Sequence, residues 1–151
     1  MAHSKRSRHA IDLKKTKHPR EEKNAQSYYG FNVSFSFRKY DAGAPWATAA
    51  DGKPAVDGIF KMLRGVESAA WGDIRQASGG RSLGTNSHPI SIKELSKDAQ
   101  DRADEIALSE DVLFSMRLTG TVRLWGVIEP SDGRFFVIWY DPEHKVCPVG
   151  K

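Results

Sequence analysis

Phe31, Val33, Phe35 and Phe37 alternate with polar Asn32, Ser34, Ser36 and Arg38, a period of two that predicts a half-buried strand, with antiparallel pairing as the simpler expectation. After a Gly- and Pro-bearing loop, Val56, Ile59, Phe60 and Leu63 follow i, i+3, i+4, i+7 spacing and predict a helix of about three turns with one face on a core. Ser68 can cap a second, short helix over 69–76 that offers Trp71 and Ile74 to the interior. Residues 79–89 have the composition of a long loop. Ser91 with Glu94 has capping-box spacing, and Leu95, Ala99 and Ile106 supply a narrow apolar stripe, so a third helix is expected over 91–108.

The last forty residues carry the strongest pattern. Alternating positions over 112–118, a turn at Thr119-Gly120, a strand over 121–128, a turn through Pro130 and Gly133, and a strand over 134–140 make a three-stranded antiparallel meander. Six consecutive large apolar residues in the third strand place it inside the sheet, covered on both faces. The expected fold is α+β: an antiparallel sheet of the N-terminal strand and the C-terminal meander, with the helices packed on one face.

Charge divides the chain differently. Residues 1–24 hold eight cations and three anions, a net of +5, whereas residues 25–151 hold fifteen cations and sixteen anions, a net of −1. Residues 1–26 also lack sustained periodicity, so they read as a basic disordered arm ahead of a single domain over 27–151. Lys5, Arg6, Arg8, Lys14 and Lys15 in that arm are candidates for sequence-independent attraction to nucleic acid. The segment Lys93–Asp111, by contrast, carries seven anions against three cations and would repel phosphate. No stretch approaches the length of a membrane span, and no apolar region follows the charged N-terminus. The expectation is a soluble, cytoplasmic protein without membrane contact.

The 151 residues contain no phosphate-cradling Gly-rich loop, dinucleotide fingerprint or nucleophile elbow. One cysteine and two widely separated body histidines, His88 and His144, predict no metal site and no cofactor. The candidate chemistry lies in the meander. Counting outward from Thr119-Gly120 brings Arg117 near position 122 or 123, so Arg117 and Arg123 can share one face of neighbouring strands. Two such guanidiniums repel unless an anion sits between them, and a phosphate suits their forked donors. The alternative is that both pair with acidic residues of the third helix or with Glu129. Beyond the last strand, Asp141-Pro-Glu-His-Lys145 presents His144 as a proton donor or acceptor, with Lys145 beside it and Asp141 or Glu143 able to set its tautomer. The alternative there is a solvated turn capped by Asp141. His88, in the long loop, is a second candidate acid or base. Tyr140 and Trp125 are candidates to contact a base, although aromatics on apolar strands are mostly core.

The run Phe114-Ser-Met-Arg117-Leu-Thr-Gly120-Thr-Val-Arg123-Leu-Trp-Gly126, followed by Phe136-Val-Ile-Trp139-Tyr-Asp141-Pro-Glu-His144-Lys145, resembles the final meander of the RelE/ParE-like toxins of bacterial toxin–antitoxin pairs. The resemblance covers about 35 residues, and the element order also fits that family. It implies a RelE-like fold and, in the RNA-cutting branch, an endoribonuclease that drives a ribose 2′-hydroxyl onto the adjacent phosphodiester of messenger RNA, commonly on the ribosome. Carried over by position, Arg117 and Arg123 would stabilise the phosphate, and His144 or Lys145 would supply the acid or further charge; His88 would be a possible base. The implied partners are RNA, the ribosome and a cognate antitoxin protein. The chain departs from the family in its acidic 93–111 segment and its basic arm. A ParE-like toxin acting on DNA gyrase and a non-catalytic nucleic-acid- or protein-binding module are the competing readings.

Overall fold

The computed structural model describes residues 28–46, 56–76 and 87–148. The basic arm over 1–26, with Lys5, Arg6, Arg8, Lys14 and Lys15, lies outside the described residues, as does the loop over 77–86. In chain order the elements are β1 (Ser34–Ser36), α1 (Val56–Glu67), α2 (Trp71–Gln76), β2 (His88–Ser91), a 3-10 turn (Ile92–Glu94), α3 (Lys97–Glu105), β3 (Val112–Thr119), β4 (Val122–Glu129) and β5 (Arg134–Asp141). The fold is α+β, built on one five-stranded mixed sheet in the order β1-β5-β4-β3-β2.

The meander forms as the sequence pattern predicts: β3 pairs antiparallel with β4, and β4 with β5. β5 has a neighbour on each side, as its unbroken apolar run requires. Four expectations are corrected. β1 pairs with β5 in parallel, Phe35 opposite Phe135, because the whole helical region and the other strands intervene and allow a crossover where sequence locality suggests antiparallel pairing. β1 is also short: Val33 is buried and Phe35 half-buried, but Phe31 and Phe37 are exposed.

The third helix begins later than expected. Residues 88–91 pair antiparallel with β3, with Pro89 tolerated on an edge strand. The Ser91 N–H donates to the Glu94 carboxylate at 3.3 Å, but this closes only the 3-10 turn. The cap of α3 is Ser96, whose hydroxyl accepts from the Ala99 N–H at 3.2 Å.

The helices also cover both faces of the sheet. Leu63 of α1 and Trp71 of α2 join Val33, Phe114, Met116, Leu124, Phe135 and Val137 in one core. Ala99 and Ala103 of α3 join Leu113, Trp125, Ile138, Trp139, Trp46 and Val146 in another. Leu113 and Phe114 are neighbours on β3, so their side chains leave opposite faces and the two cores are separated by the sheet. A period-two pattern cannot reveal this when both faces are apolar.

The second core is tied to the rest by a part-buried ion pair. Arg102 of α3 holds the Asp41 carboxylate through two nitrogens, at 2.8 and 2.6 Å, and Asp41 also accepts from the Trp139 indole at 2.9 Å. These contacts hold the Asp41 carboxyl below its ordinary range, the Arg102 hydrogen bonds contributing most.

Candidate functional site

Arg117 and Arg123 are direct cross-strand partners, and Arg123 is in turn opposite Asp141 on β5. Paired residues in a ladder share a face, so these three lie in one row on the α3 side of the sheet. The next row along the strands is His88, Ser115, Trp125 and Trp139. His88 is therefore the diagonal neighbour of Arg117, and the link is reinforced where the Arg117 N–H donates to the buried Ser87 hydroxyl at 3.0 Å.

Asp141 reaches this row only because β5 contains a bulge. Trp125 faces Trp139 while Gly126 faces Val137, leaving Ile138 as the extra residue. Val137 consequently lies in the α1–α2 core and Trp139 in the α3 core, although the two are separated by two positions. The phase change moves Asp141 onto the arginine face and Tyr140 onto the opposite one, where it is the strand partner of Leu124 and packs against the α1–α2 core.

Asp141 is fully buried and organises the turn that follows. One carboxylate oxygen accepts from the Lys145 N–H at 2.8 Å; the other accepts from the Val146 N–H at 2.9 Å and the Trp125 indole at 3.2 Å. Thr121 ties this turn to the β3–β4 hairpin by donating to the Pro142 carbonyl at 2.8 Å. The result sets His144 in the left-handed region, at φ 59°, with its Nδ1 buried and making no hydrogen bond. Asp141 is thus a backbone cap, the alternative the sequence leaves open, and it does not grip the imidazole.

Burial lowers the His144 pKa from its ordinary value, and the Arg123 cation lowers it further against an opposing pull from Asp141. Arg123 is lowered as well, by burial first and then by the Arg117 charge, again against an opposing pull from Asp141. Its guanidinium donates to the carbonyls of Gly120 at 2.7 Å and Val122 at 3.2 Å. A crowded pair of half-buried cations beside a neutral-leaning histidine is an arrangement that an incoming anion relieves.

The other sequence candidates fall apart from this row. Trp125 is fully buried with its indole N–H on Asp141, so it presents no face for a base to stack on. Tyr140 is half-buried on the far side of the sheet. Lys145 is exposed and ion-paired with Glu143 at 3.0 Å. His88, expected in a loop, instead begins β2, which makes it part of the sheet face. Sequence reasoning missed Ser87 as the anchor of Arg117, and a hydroxyl beside a loop histidine gives no signal of that role. Among the described residues, no group of three or more His, Cys, Asp and Glu is arranged to hold a metal ion, and no helix is long and apolar enough to cross a membrane. Comparison with protein-family models, curated proteins and solved structures gives no match.

Proposed function

We propose that this chain is an endoribonuclease of the RelE/ParE-like kind, cleaving messenger RNA by attack of a ribose 2′-hydroxyl on the adjacent phosphodiester. The observation that carries the reading is the cross-strand pair Arg117–Arg123 with His144 electrostatically coupled to it. The arginines hold the phosphate and meet the charge that grows on its oxygens. A histidine with a lowered pKa is neutral near pH 7, so His144 serves as the base that takes the 2′-hydroxyl proton, in place of the acid role implied by the family resemblance. In strand order the arginine pair falls between His88 on β2 and His144 beyond β5. In-line displacement needs base and acid on opposite sides of phosphorus, which gives His88 the role of protonating the leaving 5′-oxygen. The products are a 2′,3′-cyclic phosphate and a free 5′-hydroxyl.

On the strength of the resemblance we extend the proposal to a toxin that acts on RNA, at the ribosome or free, and is neutralised by an antitoxin protein. The test is incubation of the full chain with RNA and analysis of the ends. His144→Asn should reduce cleavage by about 10²-fold or more, and Arg117→Ala and Arg123→Ala should do so with the fold retained. Parental activity in all three variants would overturn the mechanism. Intact RNA together with undiminished RNA binding in those variants would favour the non-catalytic module.

A further inference from the structure

A cleft of about 440 Å³ opens at the edge strand β2, with His88, Glu94 and Cys147 among the residues that line it. Two of its lining residues, His88 and Cys147, relate it to the proposed site. His88 is the diagonal strand neighbour of Arg117, a separation of about 7–8 Å that long side chains span. Cys147 ends the turn that holds His144, and its thiol donates to the Glu94 carbonyl at 3.8 Å. The cleft is therefore walled by the two segments that carry the proposed acid and base.

Its chemistry suits a flat, neutral, hydrogen-bonding ring. Pro89, Ile90, Leu95 and Pro148 give apolar walls, and the volume falls in the range of small-ligand sites. The Glu94 carboxylate disfavours an anion inside the cleft. It is an acceptor, with one oxygen taking the Ser91 N–H and capacity for further donors. Adenine, cytosine and guanine present exocyclic amino groups to such an acceptor; uracil offers only its ring N3–H.

Resting on the ribonuclease reading above, we propose that this cleft binds the base of the nucleotide on the leaving side of the cut, whose 5′-phosphate is the scissile phosphate held by Arg117 and Arg123. The His88 side is the leaving side because His88 protonates the 5′-oxygen, so the cleft selects the residue downstream of the cleavage point. Selection favours bases with an amino donor and disfavours uridine.

Cys147 is the chain's one cysteine and lines the cleft, so its alkylation by iodoacetamide reports occupancy in the unaltered protein. Cytidine 5′-monophosphate should slow the reaction several-fold, whereas cytidine 3′-monophosphate, uridine 5′-monophosphate and inorganic phosphate should slow it much less. Sequencing of cleavage products should show uridine depleted after the cut by about tenfold, the discrimination expected of a hydrogen bond to a charged acceptor. Glu94→Gln should weaken that depletion, and a depletion unchanged in this variant would remove Glu94 from the selection. Alkylation that no nucleotide slows, or that phosphate slows equally, would overturn the base site; RNA cleavage measured on the same protein then still stands or falls separately. Protection by cytidine 5′-monophosphate with no cleavage of RNA would retain the cleft and remove the nuclease.

Discussion

His144 sits at φ 59°, backbone that most L-residues adopt only under constraint, because the Asp141 carboxylate gathers the Lys145 and Val146 N–H groups beneath it. Asn is among the residues that tolerate this region best, so His144→Asn should leave stability within about 0.5 kcal/mol while removing the imidazole. The pH behaviour follows from the direction of the pKa shift. The unfolded imidazole titrates near 6.5, and the native one lower. Above about 6.5 both forms are neutral and His144 contributes no pH dependence. As pH falls through that window the unfolded chain takes up the proton first, so stability declines until the native pKa is reached and then levels off. The acid limb of kcat/KM should lie in the same window, below the ordinary histidine value. NMR titration of His144 should show its midpoint rising in Arg123→Ala and on addition of phosphate, since each reduces the effect of a lowering charge. A midpoint unchanged by both would separate His144 from the arginine pair.

At the level of elements the β5 bulge decides whether a site exists. It turns Asp141 toward Arg123, and Gly126 makes room for it: a Cβ there would fall 2.0 Å from the Phe136 carbonyl oxygen and 3.0 Å from the Phe135 ring. Gly126→Ala should cost about 3 kcal/mol in urea unfolding, at the upper end of overpacking penalties, and should lower RNA cleavage in whatever fraction remains folded. A variant of parental stability would mean that the bulge is not held by this close approach. The same bulge explains what the sequence could and could not disclose. The Arg117–Arg123 pairing was legible because the Thr119-Gly120 turn sets a short count outward on both strands. The matching row on β5 was not, since Phe135 to Tyr140 is apolar throughout and an unbroken apolar run hides a change of phase. For the same reason the covering of both faces was hidden. β2 was obscured by Pro89 and by a Ser-x-x-Glu spacing that caps a 3-10 turn, whereas the true helix signal lay five residues later at Ser96.

Across the whole molecule, charge separates attraction from chemistry. The proposed site draws its cations from a body whose net charge is −1, and α3, on the same side of the sheet, belongs to a segment with seven anions. RNA approaching that face meets an acidic helix beside a small basic row, so the body alone should bind it weakly. In the proposed reading, the +5 carried by residues 1–24 supplies the missing long-range attraction. Removal of residues 1–24 should therefore raise KM for RNA and leave kcat nearly unchanged. It should also flatten the dependence of affinity on salt, by about 0.7 in the logarithmic slope for each single-strand phosphate that the arm neutralises. Arg123→Ala should give the reverse pattern, a large loss in kcat with the slope changing by about the share of a single phosphate. Were deletion to leave KM and the salt slope as they are, affinity would have to come from the folded face, and the acidic segment would then have to lie clear of the RNA path.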